Sequence, residues 1–373
     1  MFAIISLMIR RYLPKSTSEL IHWYERYISP LALVLGFLLD NYVLLDRVDV
    51  IFGNILLLTY LLLAGTAIVL LNLIESGRTQ NRIALRIVPF LPVVIQLFFG
   101  ALFSGYLSLY SRSAGVAVSW VFVLVLAFLL VGNERFRHLY QRLPFQLSIY
   151  FVSLYSFLIF FLPLIFKTIG TFMFLLSGLV SIGIIALVML LLRHLIFERY
   201  METRQTSIRS LVALVIMFNV LYFSNLIPPL PLALKEGGVY HSVQRVENSY
   251  MLLGEKKSLA VRYLGTPAVF HIAPGGKAYV FAAVFAPSGL TTELRHQWQR
   301  YNDSTNTWET QSDVQFTIHG GRDGGFRGYS EKQNPAEGSW RVNVLTEQGQ
   351  IIGRIRLTIV RTVEAPNFVE ETR

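Results

Sequence analysis

The chain has 373 residues, of which 53% are hydrophobic and only 15% charged, with no cysteine and a formal net charge of +10. Without cysteine there are no disulfides, thiolate metal sites or cysteine nucleophile. Soluble domains average roughly 25% charged residues. That deficit, with a mean hydropathy of +0.50, points to membrane spans rather than an unusually rich core. Residues 1–231 hold 17 Lys/Arg against 9 Asp/Glu, whereas residues 232–373 hold 16 against 14. A nucleic-acid partner would leave a basic stripe on the soluble part. Here the basic excess lies in the apolar part, so no nucleic acid is expected, and the excess fits orientation in a lipid bilayer with anionic headgroups.

The first stretch, MFAIISLMIRRYL, places Arg10 and Arg11 after its apolar run. A secretory signal has the opposite order, so residues 1–27 read as a cytoplasmic segment lying on the membrane surface. Residues 28–231 read as a helical bundle. Seven apolar runs approach the roughly 20 residues needed to cross a bilayer, at 28–46, 51–74, 88–110, 114–132, 145–166, 168–192 and 210–227. The fifth and sixth are parted only by Lys167 and Thr168, and a turn is expected there because the joined run is too long for one helix. The seventh ends in Pro228, Pro229 and Pro231, which cannot continue a helix.

Basic residues alternate between these runs. Arg10, Arg11, Lys15 and Arg26, then Arg78, Arg82 and Arg86, then Arg135, Arg137 and Arg142, then Arg193, Arg199, Arg204 and Arg209 occupy every second connection. The intervening three hold one each, Arg47, Arg112 and Lys167. Fourteen against three predicts a cytoplasmic N-terminus and, after seven crossings, a C-terminal region outside the cytoplasmic membrane. The connections NERFRHLYQRLP and RHLIFERYMETRQTSIR are expected to lie against anionic headgroups.

Asp40 is the costliest residue within a span, at roughly 2.5–3.5 kcal/mol if ionised at mid-depth. The connection to the second span is short, so Asn54 should face it at similar depth. A proton or cation site is one reading. A buried structural acid is favoured, because no other ionisable residue lies deep in a span. Gln96, Gly100, Ser104 and Ser108, like Gly170, Ser177 and Ser181, are spaced for close helix packing.

From 232 to 373 the pattern changes to period two. Strands are expected at 239–246, 259–264, 268–272, 278–286, 292–301, 313–319, 339–345 and 351–360, separated by Gly, Pro, Asn and Ser turns. This predicts an all-β, immunoglobulin-like sandwich. Trp340 and Trp298 fall on its core faces.

The stretch HGGRDGGFRGYSEK, residues 319–332, is the strongest candidate site. Its glycines permit tight turns, and Arg322 and Arg327, flanked by Asp323 and His319, could clamp a phosphate or acidic sugar. It lacks the Gly-Lys-Ser/Thr ending of a phosphate loop. His241, His271, His296 and His319 lack zinc-ligand spacing. No cofactor, metal or catalytic residue is expected.

The segment from His296 through the strand Gly338-Ser339-Trp340-Arg341-Val342 to Gly349 and a final strand resembles a small bacterial domain of unknown function, with His296 and Trp298 at its other recurrent positions. The membrane half, with GFLLDNYVLLDRVD and LLVGNERF, is similar to uncharacterised bacterial membrane proteins that end in this domain. The resemblance covers most of the chain. It implies an inner-membrane protein with a periplasmic β domain, and it brings no site residues. The expected function is a non-enzymatic envelope protein whose β domain binds a protein, glycan or lipid partner. The alternative is a transporter or lipid-handling protein with Asp40 in its path.

Overall fold

The computed structural model describes residues 38, 48–78, 81–113, 116–133, 135–247, 249–256, 261, 266–322, 324–362 and 366–373. Asp40, Asp323, most of the first expected span and most of the expected strand 259–264 lie outside them. The chain divides into two compact units. One is Met1–Leu109 with Val123–Leu158 and Ser177–Asn219, and the other is Tyr110–Phe122 with Ile159–Leu176 and Val220–Arg373.

The helices are α1 (Ile51–Glu75), the short α2 (Arg82–Ile87), α3 (Leu91–Ser113), α4 (Val116–Gly132), α5 (Leu143–Phe166), α6 (Thr171–Leu195) and α7 (Phe197–Phe223). Among the described residues, six apolar helices therefore stand where seven spans were expected. Five helical segments are long and apolar enough to cross a membrane, whereas α4, with 17 residues, is shorter. As expected, the chain turns between α5 and α6, where Lys167 has φ 53° and Gly170 has φ 117°. One expectation is corrected. Residues 197–209 are not a loop but the first half of α7, because Arg199, Met201, Glu202, Arg204 and Gln205 are good helix formers. The helix stops at Phe223, where Asn225 turns with φ 56° ahead of the prolines.

The first unit is built around α5. Its most apolar window is 72% buried, against 28–44% for the other long helices. Small residues let neighbours approach: a Cβ on Gly65 would meet the Tyr150 hydroxyl at 2.8 Å, and one on Gly178 the Tyr155 hydroxyl at 2.6 Å. Outward faces are apolar. Phe52, Ile55 and Leu62 of α1 and Val212, Ile216 and Val220 of α7 are all exposed. Polar groups point inward and pair. Asn72 Nδ2 donates to Gln146 Oε1 at 2.5 Å, Gln146 Nε2 to the Tyr140 carbonyl at 2.5 Å, Tyr140 O–H to Asn133 Oδ1, and Asn133 Nδ2 to the Gln96 carbonyl at 2.8 Å. Apolar groups outside and hydrogen-bonded polar groups inside are what a hydrocarbon solvent selects, although Asn72 Oδ1 and Gln96 Oε1 are buried without a hydrogen-bond partner among the described residues.

The second unit carries three sheets in the orders β1-β5-β8, β4-β10-β9-β6-β7 and β11-β3-β2. The strands are β1 (Ala233–Tyr240), β2 (Ser242–Val246), β3 (Ser249–Glu255), β4 (Ala268–Ile272), β5 (Lys277–Phe285), β6 (Thr291–Asn302), β7 (Thr307–His319), β8 (Phe326–Gln333), β9 (Gly338–Thr346), β10 (Ile351–Arg361) and β11 (Phe368–Thr372). Pairing is antiparallel except between β10 and β4. Strands β3, β8, β11 and most of β1 were not expected, and the expected strand 239–246 is divided between the end of β1 and β2. The strands β4, β5, β6, β9 and β10 match expectation within a residue, because their alternation is strict.

The first two sheets share buried clusters. Val280 of β5 meets Trp298 of β6, Trp340 and Val342 of β9 and Leu357 of β10, and Leu294 and Val344 extend the core. Both tryptophans are core residues, as expected, with their rings 6.3 Å apart and edge to face. The third sheet packs Val243 of β2 and Leu252 of β3 against Tyr240 of β1 and Phe281 and Ala283 of β5.

One polar cluster lies inside this core. Trp298 Nε1 donates to Ser330 Oγ at 3.0 Å, and His296 Nδ1 lies 2.9 Å from the same oxygen. His296 is fully buried, and burial lowers its pKa from 6.5 to about 4. The unfolded chain therefore binds a proton that the folded one refuses, so the stability contributed by neutral His296 is complete above pH 6.5 and is lost as pH falls towards 4. Linkage at 1.36 kcal/mol per pKa unit makes this about 3 kcal/mol. Denaturant unfolding of the detergent-solubilised chain, followed by tryptophan emission, should show that decline between pH 6.5 and 4. His296→Leu should flatten it.

Candidate anion-binding site

The stretch 319–332 is only partly a loop. From Phe326 it is strand β8, paired with β5 so that Arg327 stands opposite Ala283 and Tyr329 opposite Phe281. The turn proper is Gly320–Gly325, and it is fastened to the preceding β5–β6 connection. Gly320 N–H donates to the Leu290 carbonyl at 2.8 Å, and Gly321 N–H to that of Ala286 at 3.0 Å. Glycine is required here: a Cβ at position 320 would lie 1.8 Å from the Pro287 carbonyl oxygen.

This turn sets Arg322 at the mouth of a cavity of about 320 Å³, lined by Arg245, Tyr250, His319, Gly320, Arg322, Phe326 and Arg327. Three segments supply its cations: β2 gives Arg245, the turn gives Arg322, and β8 gives Arg327. Arg245 and Arg322 are exposed, and Arg327 is half-buried. Tyr250 O–H donates to the Arg327 carbonyl at 3.5 Å, tying β3 to β8. His319 Nδ1 lies 3.2 Å from Thr291 Oγ1, which holds the imidazole at the rim. No carboxylate is among the described lining residues. Arginine forks around an apolar-walled cavity suit an anion carrying several acceptor oxygens.

The structure thus brings His319, Arg322 and Arg327 together, as the sequence suggests. Arg245 and Tyr250 were missed. They come from a hairpin about 70 residues upstream, and nothing local marks them. Of Asp40 and Asn54, the pair expected within the membrane, only Asn54 is described, and its Nδ2 donates to the carbonyls of Val48 at 2.8 Å and Val50 at 3.0 Å. Two histidines that look scattered in sequence meet one acid. Glu255 Oε1 lies 3.0 Å from His241 Nε2 and Oε2 lies 2.8 Å from His271 Nδ1, while the His271 backbone N–H donates to Oε1 at 2.7 Å. Burial pushes the Glu255 carboxyl up, but these hydrogen bonds outweigh it and hold the group below its ordinary value. No group of three His, Cys, Asp or Glu side chains placed to hold a metal ion occurs among the described residues.

Residues 291–359, covering β6 to β10, match the model of a family described as a protein of unknown function, DUF2914. No match was found among curated proteins. Among solved structures, one similar chain is the Pseudomonas fluorescens alkylpurine DNA glycosylase AlkC bound to DNA containing an abasic site analog. It is 11% identical and the alignment covers 77% of this chain and 80% of that one, with a TM-score of 0.20, a value at which the likeness carries no argument.

Gly320→Ala should separate the turn from residues 286–290. The expected cost is about 2 kcal/mol of stability, read as a lower unfolding midpoint, and anion binding should weaken in parallel.

Proposed function

We propose that the chain is a multi-pass, non-enzymatic protein of the bacterial cytoplasmic membrane, its N-terminus cytoplasmic. Its periplasmic β region, read as an immunoglobulin-like sandwich with an added third sheet, binds an anionic partner. Five long apolar helices with outward apolar faces support the membrane reading, and the alternation of basic connections supports the orientation. One observation carries the binding reading: arginines from β2, the turn and β8 converge on a single cavity that no described carboxylate lines.

An anionic lipid headgroup fits best among the partners. His319 stands opposite Thr291 in the β6–β7 ladder, two residues from Gly289. A Cβ on Gly289 would lie 3.0 Å from Lys167 Nζ, just past the end of α5. The cavity therefore sits beside helix ends, where phosphate oxygens of a bilayer surface would be found, and Lys167 adds a further cation.

The test uses the full chain in neutral-lipid nanodiscs, titrated with short-chain phosphatidylglycerol and, separately, with inorganic phosphate. Each charge-assisted hydrogen bond is worth roughly 1.5–3 kcal/mol, so Arg322→Gln with Arg327→Gln should weaken phosphatidylglycerol binding at least about tenfold. Unchanged affinity in a stably folded double variant would refute the site. A tag after Arg373 reachable only from the cytosol would refute the orientation.

A further inference from the structure

The outer face of the five-stranded sheet carries a second basic cluster, separate from the cavity above. Strict alternation on β9 sends Trp340, Val342 and Val344 into the core and turns Arg341 and Asn343 outward. The ladder register then sets Arg356 of β10 directly opposite Arg341, and Arg354 opposite Asn343. Like charges facing each other across two strands destabilise a sheet. Here they are not neutralised, for none of the three arginines makes an ion pair with a carboxylate among the described residues. Burial, reinforced by the neighbouring Arg354 and Arg356, lowers the Arg341 pKa from its ordinary value to about 10. Burial and Arg356 likewise lower that of Arg354.

The guanidiniums are nonetheless held in place. Arg341 Nε donates to Gln299 Oε1 at 2.7 Å, and its guanidinium lies 4.3 Å from the centre of the Trp308 ring. Arg354 Nε donates to Asn343 Oδ1 at 2.7 Å, and Asn343 Nδ2 in turn donates to Gln297 and Gln299, each at 3.1 Å. Both arginines are anchored through Nε, while their terminal N–H groups have no hydrogen-bond partner among the described residues. A fork fixed by its stem with its prongs free is arranged for bidentate contact with a carboxylate or phosphate. Arg354 and Arg356 also border a cavity of about 390 Å³ that holds Lys235 and Arg373. Its two carboxylates, Glu236 and Glu371, are taken by Arg373 at 2.5 and 2.9 Å.

We propose that this face binds an acidic saccharide chain, whose carboxylate or phosphate groups are taken by Arg341, Arg354 and Arg356. Three features select a saccharide over other anions. Amides of the half-buried Gln297 and Gln299 lie among the charges and suit hydroxyl groups, while the buried Asn343 braces them. Trp308, 5.2 Å from Tyr301, offers an aromatic surface at the edge of the patch. The cations form a row across neighbouring strands rather than a closed pocket, which matches a repeating charge. Distance argues against the bilayer as the source. The β9–β10 turn touches α6, where Thr171 N–H donates to Gln348 Oε1 at 3.0 Å. Counted from Gln348, the three arginines lie six to eight residues along the strands, roughly 20–26 Å at about 3.3 Å per residue, whereas a headgroup layer is only about 5–8 Å deep.

The experiment uses the full chain in neutral detergent with a polygalacturonate oligomer, a neutral cello-oligosaccharide, polyglutamate and phosphatidylglycerol vesicles as separate probes. Polygalacturonate should bind, weaken as salt is raised, and lose about tenfold or more in affinity in Arg341→Gln with Arg356→Gln. That variant should keep or raise its unfolding midpoint, because it removes a repulsion. Arg341→Lys, which retains charge without the fork, should lose part of the affinity. The proposal is overturned if the wild-type chain does not prefer polygalacturonate to the neutral oligosaccharide, if the double variant binds as well, or if polyglutamate binds equally. Vesicle binding lost through these same arginines would overturn it in favour of the bilayer. Arg322→Gln with Arg327→Gln should leave polygalacturonate binding intact, so failure at the cavity and failure at this face are told apart.

Discussion

Strand β5 is the constraint on which the β region depends. Its side chains alternate between two cores: Ala278, Val280, Ala282 and Val284 face the five-stranded sheet, while Phe281 and Ala283 face the third sheet. Every residue from Ala278 to Phe285 except Tyr279 is buried. A strand covered on both faces and paired on both edges cannot slip by one residue without exchanging the two cores. That register places Arg327 opposite Ala283 and thereby builds the cavity wall. The small residues matter as much as the large ones. Alanines at 278, 282 and 283 leave room for Trp298, Trp340 and Tyr240, which are too bulky to face one another across a thicker strand.

Among the described residues, the helical unit has five helices long and apolar enough to cross a membrane. In a lipid solvent burial of apolar surface would not drive such helices together, and close approach and internal hydrogen bonds would have to do it. Gly65 and Gly178 provide the approach against tyrosines of α5. The relay from Asn72 through Gln146, Tyr140 and Asn133 to Gln96 ties four segments together with side chains that would be ordinary on a soluble surface.

Much of this is legible in the sequence and the rest is hidden for identifiable reasons. Apolar length alone locates the ends of α1, α4 and α5 to within a few residues. Period-two alternation locates β4, β5, β6, β9 and β10. Strand β8 is hidden because its residues, Phe-Arg-Gly-Tyr-Ser-Glu-Lys-Gln, mimic a polar turn. Only the pairing with β5 makes a strand of them. The first half of α7 is hidden because charge reads as loop until helix propensity is weighed. Of the site, Arg322 and Arg327 are visible for their glycine-rich setting, whereas Arg245 arrives by tertiary folding alone. The Arg341–Arg356 pair is visible only once register is known, since β9 and β10 could be aligned in several ways from their patterns.

The hairpin between β9 and β10 joins two otherwise separate features. Its tip supplies the Gln348 side-chain oxygen that accepts the Thr171 N–H, at the start of α6. The first N–H groups of a helix have no acceptor within the helix itself. Its arms carry Arg341, Arg354 and Arg356. Load applied to the arms is thus delivered to the tip by two stiff, laddered strands, and a shift there strips the helix of an acceptor that water must replace. The hairpin can thereby act as a strut as well as a piece of sheet, coupled to the start of α6 through a hydrogen bond at its tip.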